Sequence, residues 1–124
     1  MNIRGTDFVM FLVSDLSRAT AFYRDTLELP CEIYSEDYQW AEFDCGNVTL
    51  SLKGNSLRNM EKAEGRIALA VGDIFSACEE LKEKGIPISA EPVDNGVCWH
   101  LEIYDPDGNL VILHQRKDGT FGQN

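Results

Sequence analysis

The sequence predicts an α+β fold built from two βαβββ modules, and three observations predict it. Residues 8–16 (FVMFLVSDL) align without gaps on residues 66–74 (RIALAVGDI), an offset of 58 residues, and such self-similarity is the mark of a duplicated unit. In each copy a strand-length apolar run leads through a small residue to an Asp able to cap a helix by accepting a backbone N–H bond. Three β-rich runs follow each helix, and each half closes on a Gly-Asn turn, Gly46-Asn47 and Gly108-Asn109.

The elements follow in order. After the first apolar run, Leu16, Ala19, Phe22, Tyr23 and Leu27 recur at helical spacing, which predicts an amphipathic helix. Strands are then expected over 31–35, 39–45 and 47–53. The stretch 54–65 (GNSLRNMEKAEG) is polar and bounded by glycine, so it reads as a linker. In the second half Ile74, Ala77, Cys78 and Leu81 form the helical stripe; Gly85 closes it and Pro87 prevents its resumption. Strands are expected over 87–92, 97–104 and 110–115, with a loose tail over 117–124. Both Gly-Asn turns need positive φ, which these residue types tolerate. The whole chain, 1–124, reads as one domain: module one over 6–53, module two over 66–116.

Composition bounds the function. A chain of 124 residues with 44% apolar and 26% charged residues can bury a core without covalent staples. No apolar run has the roughly 18 to 20 residues a membrane span needs, and the first residues lack a signal-peptide layout; a cytoplasmic protein with no membrane partner is expected. Cys31, Cys45, Cys78 and Cys98 are scattered without zinc-type spacing and read as small core residues. The net charge of −10, from 21 acids and 11 bases, repels phosphate backbones, so nucleic acid is excluded as a partner.

The duplicated unit, with V-x-D-L at 13–16, A-x-x-F-Y at 19–23 and a D-P-D-G-N hairpin at 105–109, resembles the glyoxalase/bleomycin-resistance/extradiol dioxygenase (vicinal oxygen chelate) superfamily over residues 7–116. The resemblance implies modules whose four strands curl around a cavity with the helix outside, and a homodimer with sites near the subunit boundary. It also implies a divalent metal held by the first and last strands of each module. The matching positions here are Phe8, Arg66, Ser51 (between Leu50 and Leu52) and Ile112 (between Val111 and Leu113). Phenylalanine and isoleucine offer no donor and a guanidinium repels a cation, so the ligand positions read as substituted, with no metal and no cofactor expected.

Strand side chains alternate faces, and the ligand positions set which parity looks into the cavity: Phe8, Met10 and Leu12; Thr49 and Ser51; Arg66, Ala68 and Ala70; Leu110, Ile112 and His114. Arg66 is then a buried guanidinium in need of a partner. Pairing across the D-P-D-G-N hairpin sets Tyr104 against Leu110, Glu102 against Ile112 and His100 against His114, which brings together the chain's two histidines. An imidazole pair beside a carboxylate can move protons near neutral pH or hold a displaced metal. Trp40 and Glu42 share a face of the third strand and suit a planar or cationic molecule.

The expected function is therefore metal-independent binding of a small molecule, an antibiotic or cationic ligand among the candidates, in a cavity at a dimer interface. The ligand-binding residues are Phe8, Met10, Trp40, Ser51, Arg66, His100, Glu102, Ile112 and His114. The alternative is a lyase or isomerase of the same superfamily using His100, Glu102 and His114 as catalytic residues, with or without a relocated divalent metal. A thiol transferase and a partner-binding module with a collapsed cavity stand further back.

Overall fold

A computed structural model describes residues 1–57, 62–88 and 90–121. The chain divides into two compact units, residues 1–63 with 106–108, and residues 64–105 with 109–124. In the first unit β1 (Phe8–Leu12) leads to α1 (Leu16–Ala21), which widens into a π-helical turn (Phe22–Thr26), followed by β2 (Cys31–Ser35), β3 (Trp40–Asp44) and β4 (Thr49–Lys53). In the second, β5 (Arg66–Ala70) leads to α2 (Ile74–Glu83), β6 (Val93–Asp94), β7 (Cys98–Tyr104) and β8 (Leu110–Arg116). The sheet orders are β1-β4-β3-β2 and β5-β8-β7-β6. In each the first strand runs parallel to the last and the other pairs are antiparallel. The βαβββ duplication is thus present, and β1 and β5 occupy positions 58 residues apart.

Local chemistry sets the helix starts. Asp15 accepts from Arg18 N at 3.1 Å, and Asp73 accepts from Phe75 N and Ser76 N at 3.0 and 3.2 Å, satisfying donors that the first helical turn leaves free. Gly85, at φ 74°, ends α2. Gly54 is required for a different reason: a Cβ there would sit 2.9 Å from Leu16 Cβ.

Alternation along the strands gives each sheet one helix-covered face and one helix-free face. α1 packs on β3 and β4, α2 on β7 and β8. Tyr23, Phe43, Leu50 and Leu52 are fully buried in the first unit, as are Ile74, Ile103 and Val111 in the second; each large side chain contributes about 1.5–3 kcal/mol. Trp99 is held at the edge of Phe75, with ring centroids 5.1 Å apart, and Lys117 Nζ lies 4.6 Å over its ring. Among the described residues no helix is long and apolar enough to cross a membrane.

Three expectations are corrected. The sheets are not curled or closed around a cavity. β1 and β2 stand at the edges of the first sheet, β5 and β6 at those of the second, and among the described residues no ladder joins edge to edge; closure would need every strand paired on both sides. The strand expected at 87–92 is replaced by the two-residue β6 at 93–94. Pro87 and Pro92 have no N–H to give a ladder, and residue 89 lies outside the described residues. Of the four cysteines, all free, only Cys78 is buried; the others sit at strand ends or loops with partial solvent access. The linker residues 58–61 and the tail residues 122–124 also lie outside the described residues.

Candidate functional site

The helix-free face of the first sheet is laid out in cross-strand rows. Met10, Ser51, Glu42 and Ile33 form one, and Leu12, Lys53, Trp40 and Ser35 the next. A cavity of about 390 Å³ opens here, lined by Ile33, Ser35, Tyr38, Trp40, Glu42 and Lys53. Trp40 Nε1 donates to Glu42 Oε2 at 2.8 Å, and the Phe8 ring meets Trp40 edge-on at 5.8 Å. Lys53 Nζ donates to the Tyr38 carbonyl at 3.1 Å. Ser51 is fully buried, and its Oγ has no hydrogen-bond partner among the described residues. Four of the predicted ligand-binding residues, Phe8, Met10, Trp40 and Ser51, therefore share one face.

The helix-free face of the second sheet holds the other five. His100 pairs directly with His114, Glu102 with Ile112 and Tyr104 with Leu110, the register expected from the hairpin. Directly opposed residues share a face with Cβ atoms roughly 5 Å apart. The parallel neighbour β5 completes the rows with Ala70 beside His114, Ala68 beside Ile112 and Arg66 beside Leu110. Beside the imidazole row β5 presents only the methyl of Ala70. His100, Glu102, Ile112 and His114 are half-buried. Arg66 is not the buried guanidinium expected: it is exposed and has no ion-pair partner among the described residues, because it opens an edge strand, where water can solvate the charge.

Asn95 joins this cluster from the turn before β7. Its Nδ2 lies against His100 Nδ1. Sequence reasoning missed Asn95, Lys53 and Tyr38. Lys53 was within reach, since it continues the parity of Thr49 and Ser51; Asn95 and Tyr38 lie on turns, where no periodicity points.

A third cluster lies on α2 and the loop after it. Cys78, Glu79 and Glu91 bring one ligand atom each to within 4.8 Å of one another. Cys78 Sγ lies 3.6 Å from Glu91 Oε2, and Lys82 Nζ bridges the carboxylates at 2.5 Å from Glu91 and 3.4 Å from Glu79. Burial, then the charge of Glu91, pushes the Cys78 thiol up. The hydrogen bond from Lys82 holds the Glu91 carboxyl down.

Residues 5–113 match the family model of the glyoxalase/bleomycin resistance protein/dioxygenase superfamily. The chain belongs to that superfamily. Lactoylglutathione lyase of Salmonella typhimurium is 30% identical over 126 residues, covering 91% of this chain and 93% of the relative. A probable lactoylglutathione lyase of Synechocystis is 29% identical over 120 residues, covering 86% and 91%. Among solved structures, lactoylglutathione lyase from Agrobacterium tumefaciens superposes with a TM-score of 0.79 at 22% identity, covering 98% of this chain and all of that one. A superfamily protein from Nocardioides gives 0.76 at 18% identity, covering 100% and 91%. At these identities the structures speak for the fold.

One expectation attached to the superfamily resemblance falls: that this member's metal-ligand positions are substituted and leave it without a ligand set. A candidate set is present in Cys78, Glu79 and Glu91. It escaped sequence reasoning because Glu91 is 13 residues from Cys78 and reaches it only through the course of the loop. A thiolate and two carboxylates supply three of the donors a divalent ion takes, and an ion held there would take the place of the Lys82 ammonium. Such an ion supplies Lewis acidity.

Proposed function

We propose that this superfamily member is a lyase or isomerase of a small molecule, with His100, Glu102 and His114 as its acid–base residues. The observation that carries the reading is the direct opposition of the two histidines on β7 and β8 with Glu102 in the adjacent row. Two imidazoles and a carboxylate on one open face can take a proton from one carbon of a substrate and return it to the neighbouring carbon. That transfer isomerises a hemithioacetal to a 2-hydroxy thioester with no external oxidant. The relatives named lactoylglutathione lyase, at up to 30% identity over nine-tenths of the chain, support this chemical class. Cys78, Glu79 and Glu91 are the candidate holders of a divalent metal.

The test is product formation from methylglyoxal and glutathione by the full chain, assayed alone and with zinc, nickel or manganese. Lactoyl thioester formed by the wild type and lost in His100→Ala and His114→Ala supports the reading; no turnover by the wild type under any of these conditions overturns it.

A second reading, binding without turnover, is favoured by the cavity beside Trp40. In either case we infer that the working unit is a homodimer, which sedimentation equilibrium checks: a monomer at micromolar concentration removes this inference.

A further inference from the structure

The cavity of the first sheet carries opposite charges that do not neutralise each other. Glu42 and Lys53 both line it, diagonal to one another in adjacent rows of β3 and β4, yet no ion pair joins them among the described residues. Glu42 commits Oε2 to the Trp40 indole, and among the described residues no donor reaches Oε1. Lys53 spends one hydrogen on the Tyr38 carbonyl, and an ammonium has three. The Trp40 ring, Ile33 and Tyr38 line the same cavity, with Trp40 directly opposite Lys53 and Ile33 directly opposite Glu42.

We propose that this cavity binds a small aromatic zwitterion: a planar ring carrying both an ammonium and a carboxylate, as in an aromatic α-amino acid. The ring lies against Trp40, the ammonium bonds Glu42 Oε1 and the carboxylate bonds Lys53. The net charge of −10 draws cations to the protein from a distance, but a ligand that is only a cation meets Lys53, and one that is only an anion meets Glu42. Specificity is set by these two repulsions as much as by the attractions. The proposal rests on the reading of this cavity as a small-molecule site and is independent of the histidine cluster.

Titration calorimetry on the full chain with L-tryptophan, tryptamine and indole-3-propionate separates the possibilities. Tryptophan is expected to bind at least about tenfold more tightly than either singly charged analogue, since charge-assisted hydrogen bonds are the strong ones. Glu42→Gln, which keeps an acceptor for the Trp40 indole, abolishes the preference over indole-3-propionate. Lys53→Met abolishes the preference over tryptamine. Affinities within about twofold for all three compounds, or unchanged preferences in both variants, overturn the zwitterion proposal and leave the cavity as a binding site. No binding of any of the three overturns both.

Discussion

His100 and His114 occupy directly opposed positions on β7 and β8, so a short hairpin places the chain's two imidazoles on one face. If they act on one proton, their losses overlap. Each of His100→Ala and His114→Ala is expected to lower kcat/KM by about 10²- to 10⁴-fold, and the double variant by little more than the worse single one. Steady-state kinetics on the lactoyl thioester reaction decide it: effects that multiply in the double variant place the two histidines in separate roles.

Ser51→Ala is expected to stabilise the protein by about 1 kcal/mol, because it removes a buried hydroxyl without a partner and such groups cost about 1–3 kcal/mol. Urea unfolding measures it. A loss of stability would mean that the hydroxyl has a partner in solution.

Asn109 is 1% exposed and ties the second unit together. It donates to Asp105 through its backbone N at 2.9 Å and its Nδ2 at 2.8 Å, while its Oδ1 accepts from Gly65 N at 2.9 Å. Asn109→Ala strips the side-chain bonds from a buried carboxylate and a backbone amide and should cost about 2–4 kcal/mol. A change below about 0.5 kcal/mol by denaturant titration contradicts the hydrogen-bond arrangement.

The Asp73 cap is pH-sensitive. Hydrogen bonds from the Ser76 backbone and hydroxyl hold its carboxyl below the usual 3.8. A group with a depressed folded value stabilises the protein above the unfolded value and loses that contribution as pH falls through the folded one. Asp73→Ala should therefore melt lower than wild type near neutral pH, and the gap should shrink as pH drops below 3.8. Melting curves across that range give the answer; a gap independent of pH assigns the effect to something other than the carboxylate.

If Cys78, Glu79 and Glu91 take up a divalent ion, Lys82 is its competitor. Zinc binding by the full chain should be lost in Cys78→Ala and tightened in Lys82→Met, as read by calorimetry and metal content after gel filtration. Unchanged zinc uptake in Cys78→Ala would locate the ion elsewhere.

Whatever depends on short-range pattern was legible in the sequence. The 58-residue repeat marked both modules, because an Asp cap and an apolar stripe at helical spacing act within a turn or two of chain. The histidine pairing was legible because a hairpin of known length transmits register strictly from its turn, and each residue step then alternates the face. Whatever depends on how edges and loops lie emerged with the folded chain. The sheets stay open because no ladder joins their edge strands, and Arg66 is solvated because it opens one of those strands. Glu91 reaches Cys78, and Asn95 reaches His100, through loops that carry no periodic signal. Periodic elements repeat a local energetic preference at every residue and so write it into the sequence; a loop's path is settled once, by long-range packing and hydrogen bonding, and leaves no repeat to read.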